Sequence, residues 1–147
     1  MESIAFATYN ASALSEEKNV ELVREALSAM ADADLDELLR LFHPDVEYLP
    51  LTHAQVEGRG YRGHAGVREY FAESGELWHE MHPVADSFST NGGDVVVVGS
   101  CKFRGRGSKI DTQTPMAWVF TVRDGKIVRY RGFPTAAAAQ VAAGLAE

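Results

Sequence analysis

Residues 111–134 read DTQTPMAWVFTVRDGKIVRYRGFP, and this stretch decides the fold. Asp124-Gly125 lies between two runs rich in β-branched and aromatic residues, a strong two-residue hairpin signal. It predicts two long antiparallel strands, about 109–123 and 126–134. Two more precede them: MHPVADSFSTN (81–91) ends in a turn at NGGD, and DVVVVGSCKFRGRG (94–107) follows. Pro115 inside a strand implies a bulge or bend.

Ahead of these strands the apolar period lengthens. Val20, Val23, Ala26, Leu27 and Met30 recur at three- and four-residue steps, one face of a helix. Ser15 suits its N-cap, and Glu16 and Glu17 suit the positive end of its dipole. Residues 1–14 are then an arm or tail. Asp34 followed by Glu37 is a capping-box pattern for a second helix, which buries Leu35, Leu38, Leu39 and Phe42. Pro44 stops it, and Val46–Leu49 reads as a short strand. Residues 51–63 are turn-rich, and Gly60 and Gly63 let the chain swing into a third helix from about His64 to Leu77. Val67, Tyr70, Phe71, Ser74 and Trp78 share one of its faces. TAAAAQVAAGLAE closes the chain as a short helix.

The order predicts an α+β fold. We expect a cone-shaped roll: a strongly curved antiparallel sheet wrapped around the three helices of the N-terminal half. Residues 15–147 form its single domain, with the short C-terminal helix at the end. Such a roll encloses an apolar cavity, the default small-molecule site.

The totals narrow the function classes. At 147 residues the chain is long enough for one self-supporting core. A formal charge of -7 argues against binding a phosphate backbone, so no nucleic-acid partner is expected. One cysteine, Cys101, excludes an intrachain disulfide and a multi-cysteine metal site. The acid at Glu2 and the lack of a long apolar run argue against a leader or a membrane partner. A cytoplasmic location and no cofactor are the expectation.

ADADLDELLRLFHPDVEY, GYRGHAGVREYF, TPMAWVFTVRDGKIVRYRGFP and the closing AAGL carry a family pattern. Over residues 16–145 the chain resembles the SnoaL-like branch of the nuclear transport factor two-like superfamily. That branch sits beside ketosteroid isomerases, limonene epoxide hydrolases and polyketide cyclases. The resemblance implies the cone-shaped fold, an apolar pocket and frequent homodimers, and no single activity, because the fold hosts many. It also places the family's catalytic groups on this chain. The isomerase base falls on Leu49 or Pro50, and the isomerase oxyanion groups fall on Ala26 and Ala117. The epoxide-hydrolase acids fall near Ala117 and Gly132. None of these residues does that work, so both chemistries are disfavoured.

Other residues remain as candidates. Tyr48 has the inward parity of the aligned catalytic position and suits polarising a ligand oxygen. Alternatively, it is a core aromatic. His53, in the following loop, suits a base near neutral pH or a solvent-exposed position. Asp111 and Gln113 share the parity of Ala117, which assigns Asp111 to the pocket as a base or to a solvated strand end. Trp78, Phe103, Gln113, Met116, Ala117 and Tyr130 are the candidate ligand-binding residues. The same parity turns Trp118 and Phe120 away, toward a dimer face. His79 and His82 lack the HExxH order and read as a polar helix end, so no metal is expected. Lys102, Arg104 and Arg106 form a wet strand face, with Arg129 and Arg131 on such a face or at a dimer interface. Two readings follow: a small enzyme doing acid–base chemistry on an apolar, oxygen-bearing molecule, or a non-catalytic ligand-binding or dimeric interaction module.

Overall fold

The computed structural model describes residues 2–51, 60–107, 109 and 111–146, with side chains from residue 14 onward except at 76–80. Helix α1 spans Glu2–Ala31 and α2 spans Leu35–Leu41. Strands β1 (Phe42–Leu49) and β2 (Tyr61–Arg62) come next, then α3 (Gly63–Leu77). The long strands β3 (Trp78–Asn91), β4 (Asp94–Gly105), β5 (Asp111–Arg123) and β6 (Lys126–Phe133) follow, and α4 (Ala136–Ala142) ends the order. This is the expected α+β arrangement.

Several local expectations change. Helix α1 runs continuously from Glu2, so Ser15 lies inside it and caps nothing. The second helix starts as read: the Glu37 N–H donates to Asp34 Oδ1 at 3.2 Å. It does not stop at Pro44, because the chain turns into β1 at Phe42 and Pro44 lies within the strand. Proline is tolerated there because the pairing of β1 with β6 slips between Phe42 and Glu47. Trp78 belongs to β3, opposite Gly105, and not to the helix before it. Pro115 makes no bulge against β4, since that register runs unbroken from Asp94↔Thr121 to Arg104↔Asp111. Pairing of β5 with β6 begins only at Ala117↔Phe133, so Pro115 has a ladder partner on one side alone. The Asp124-Gly125 hairpin forms, with φ of 53° and 77°, as a type I′ turn requires.

The sheet has the order β2-β1-β6-β5-β4-β3. All neighbours are antiparallel except β1 and β6, which are parallel, so the sheet is mixed. Helix α3 touches both β1 and β3, four places apart in that order. In a flat sheet these strands would stand roughly 19 Å apart, beyond the reach of a helix about 10–12 Å wide. The sheet therefore curls around α3 and α1. Register breaks at Ala85/Ser87 in β3 and Thr121/Val122 in β5 help bend it. Gly99 faces the first break, where a Cβ would run into the Val84 carbonyl oxygen.

Two apolar layers result. Inside the curl, Val23, Leu27, Leu38, Phe42, Val67, Val97 and Phe120 form the main core. Outside it, α4 covers Val96, Ala117 and Val119 with Ala139 and Ala143. Thr135 caps this helix by accepting from the Ala138 N–H at 3.1 Å. Asn91 Nδ2 donates to the Ala143 carbonyl at 2.6 Å and ties its far end to the β3–β4 turn. Among the described residues no helix is long and apolar enough to cross a membrane.

Gly99→Ala should lower the urea midpoint by the equivalent of about 1–3 kcal/mol, an overpacking effect. Gly75→Ala, in α3 with nothing within 4 Å of the added Cβ, should raise it by roughly 0.5–1 kcal/mol.

Candidate functional site

The residues that face inward converge on one cavity of about 60 Å³. Met30 closes its α1 side, and Tyr70 and Phe71 of α3 form another wall. Tyr48 comes from β1 and Tyr130 from β6. Met81 and Pro83 of β3, Cys101 and Phe103 of β4, and Met116 and Trp118 of β5 complete the sheet side. Pro50 and Leu51 border it where β1 ends.

The parallel pairing of β1 with β6 builds the centre of this site. It sets Tyr48 beside Tyr130 in register. Their rings stack with centroids 4.2 Å apart and planes 8° from parallel. Tyr70 leans on Tyr48 at 5.1 Å, and Phe120 meets Tyr130 edge-on at 5.2 Å. Tyr48 is 2% exposed, so its phenol is held in apolar surroundings. Burial is the main cause that raises the pKa of both phenols, with neighbouring Tyr70 adding to it. The close approach of the two phenols raises Tyr48 and lowers Tyr130, in each case by less than burial raises it. The neighbouring Trp118 indole also lowers the Tyr130 pKa, against the larger effect of burial. Burial likewise pushes the Cys101 thiol up to about 11. The described wall thus offers neutral donors and carries no carboxylate, imidazole, ammonium or guanidinium.

The expected site residues separate into groups. Tyr48, Phe103, Met116 and Tyr130 line the cavity. Ala117 faces the other way, into the layer under α4. Asp111 and Gln113 share its outward side: Asp111 lies 3.9 Å from Arg104 with its side chain 73% exposed, and Gln113 Nε2 donates to Ser100 Oγ at 2.8 Å. The parity assigned to β5 was therefore inverted, and Trp118 and Phe120 point inward instead of toward a dimer face. Residues 117–120 are buried on both sides of the sheet, so no alternation marked which side was which. His53 lies outside the described residues, as does the side chain of Trp78. His64 has a structural contact: its Nε2 reaches the Phe42 carbonyl at 3.0 Å. Among the described residues no three His, Cys, Asp or Glu side chains are grouped to hold a metal.

Tyr70 and Phe71 wall the cavity from the expected inward face of their helix, and Met30, Met81, Cys101 and Trp118 are further walls outside the candidate set. For Tyr70 and Phe71 the helical period already marked the inward face. For Trp118 only the cross-strand pairing Val97↔Trp118 supplies the signal.

The outer face carries its own polar line. Arg129 Nε donates to Glu47 Oε2 at 2.9 Å, and Arg131 lies 3.9 Å from Asp94. Asp94 also accepts from Thr121 Oγ1 at 2.6 Å. The Arg131 Nε is buried without a hydrogen-bond partner. Burial, then the charge of Arg129, lowers this arginine's pKa.

A curled α+β sheet around helices, with a small aromatic cavity inside the curl, defines the cone-shaped α+β class. Residues 23–130 match the model of the SnoaL-like domain, and the chain belongs to that family. Solved structures share the fold. TerC co-crystallised with polyporic acid is 25% identical, with a TM-score of 0.70 over 82% of this chain and 94% of that one. A nuclear transport factor two-like protein from Burkholderia pseudomallei is 21% identical, with a TM-score of 0.72 over 86% and 97%. A Shewanella denitrificans protein called a SnoaL-like polyketide cyclase is 17% identical, with a TM-score of 0.68 over 78% and 88%. Among curated proteins no sequence matches the chain.

The raised pKa values predict a pH dependence. A group whose folded pKa is raised stabilises the fold fully below its unfolded pKa, and this contribution is lost as pH climbs through the folded value. For Cys101 the window runs from 9.0 to about 11, and for the two phenols it opens near the ordinary 10.0. Denaturant stability should therefore fall as pH rises above about 9. Cys101 should react with a thiol reagent at pH 8 far more slowly in the folded than in the unfolded chain.

Proposed function

We propose that this chain binds a small apolar molecule bearing an oxygen, in the cavity between the curled sheet and helices α1 and α3. The observation that carries the reading is the stacked pair of phenols, Tyr48 and Tyr130, with Tyr70 beside them, set into a wall that is otherwise aromatic, aliphatic and sulfur-bearing. Apolar walls supply affinity, and a few polar groups fix orientation. TerC, which shares the fold, has been co-crystallised with polyporic acid.

The size of the cavity shapes the reading. Ligand sites commonly span about 300–1,000 Å³, and 60 Å³ is well below that range. The ligand is therefore very small, or it displaces wall side chains. Met81, Met116 and Phe103 are partly exposed and packed against the core, and unbranched methionines re-pack readily. The described wall supports binding more directly than acid–base turnover, because it holds acids and no base. In a catalytic form of the reading a phenol is the acid and His53, two residues beyond Leu51, the base. Asp111 takes no part, since its side chain is exposed on the opposite face.

A second reading rests on the outer face. The partly exposed line of Glu47, Arg129 and Arg131 on β1 and β6 favours a homodimer contact over these strands. It is compatible with the first, and both fit a cytoplasmic protein.

Mass spectrometry of small molecules that co-purify with the protein tests the first reading. An apolar, oxygen-bearing compound should be retained. The double variant Tyr48→Phe/Tyr130→Phe should retain it about tenfold more weakly, the worth of one to two net hydrogen bonds, and Asp111→Asn should retain it unchanged. Equal retention by the double variant would remove the phenols from the reading. By analytical ultracentrifugation, Arg131→Ala should weaken the dimer about tenfold, the loss of one interface arginine.

A further inference from the structure

We infer that Met81 and Met116 form an oxidation site at the rim of the cavity, where a peroxide converts their thioethers to sulfoxides and so weakens ligand binding. This control rests on the binding reading above and acts on the same cavity.

Sulfur is concentrated at this cavity: Met30, Met81, Cys101 and Met116 all line it. Two of the four are shut away, since Met30 is 8% exposed and Cys101 7%. A thiol is oxidised through its thiolate, and burial pushes the Cys101 thiol up to about 11. A thioether reacts without first losing a proton, so access to it decides. Met81 and Met116 are partly exposed while packed against the core. They are the sulfur-bearing residues within reach of solvent among the described ones. Their places in the sheet put them at the rim. Met116 follows the exposed residues 111–115 of β5 and faces Gly99 across the ladder, with no side chain opposite it. Met81 faces Phe103, another partly exposed wall residue.

In the reaction the O–O bond of hydrogen peroxide breaks. One oxygen becomes the sulfoxide oxygen and the other leaves as water, and sulfur gives up the two electrons that the peroxide gains. An apolar, flexible side chain becomes polar and chiral. Turned into the cavity, the new oxygen either accepts from a wall phenol, in competition with the ligand oxygen, or lies unpaired among apolar groups at a cost. Turned outward, it takes an adaptable apolar piece out of the wall. Each placement lowers the affinity for an apolar, oxygen-bearing ligand. The step is reversible: a methionine sulfoxide reductase, drawing two electrons from a dithiol, restores the thioether and releases the oxygen as water.

Treating the folded protein with hydrogen peroxide, then reading it by peptide mass spectrometry and by NMR titration with cyclopentanone, tests this. Met81 and Met116 should each gain one oxygen about tenfold faster than Met30, following exposure. Cyclopentanone should then bind at least about fivefold more weakly, the cost of one unsatisfied polar group in the wall. Sulfoxide reductases with dithiothreitol should restore the affinity. In Met81→Leu/Met116→Leu, a volume-conserving exchange, peroxide should leave that variant's own affinity as it was before treatment. Oxidation of Met30 as fast as the rim pair overturns the site. An equal loss in the double leucine variant, or loss of the folded NMR spectrum together with the affinity, overturns the control of binding. If cyclopentanone binds and oxidation leaves its affinity unchanged, the control fails and the binding reading stands. If the untreated protein binds no cyclopentanone, the binding reading fails and takes the control with it.

Discussion

The structure depends on one constraint: a single six-stranded sheet must curl until both of its ends meet the same helix. Helix α3 packs on β1 near one end of the sheet and on β3 at the other. Without strong curvature it would cover only one of them, and the inner faces of β5 and β6 would lie open. The bend is built from register breaks in β1, β3 and β5 and from the close approach of Val84 to Gly99. The apolar inner face then closes around side chains from α1 and α3, and the small space left among them is the cavity.

The parallel pairing of β1 with β6 is the second consequence of that curl. The chain reaches β6 only after β3, β4 and β5 have been laid down in sequence order. Strand β6 enters between β5 and β1, and this brings Tyr130 beside Tyr48 across 82 residues of sequence. The stack sits where desolvation is strongest, so two neutral phenols mark the apolar centre. Charges are kept to the other side of the sheet, where Glu47, Arg129, Arg131 and Asp94 form a line between solvent and the layer under α4.

Much of the fold was legible in the chain. The Asp-Gly hairpin, the Asp34 cap, the helical faces of α1 and α3 and the long strands follow from local chemistry that acts over a few residues. The family pattern was legible too, since it is a matter of element order and spacing. The inward side of Tyr48 was readable from parity. Asp111, Gln113 and Ala117 were assigned to the wrong side, because β5 is apolar on both faces once α4 covers the outer one. Pro44 was read as a helix stop and Pro115 as a bulge; Pro44 instead sits in a strand where pairing slips, and Pro115 in an unbroken register with a ladder partner on one side only.

The sequence by itself determined the elements, their order and the family, because turn, cap and periodicity signals are short-ranged. Only the tertiary structure decided which face of each strand is inside. That choice depends on strand register and on which helix covers which face, both set by contacts distant in the chain. It moved Trp118 into the cavity and Asp111 out of it. It also paired Tyr48 with Tyr130, which stacking and register alone bring together.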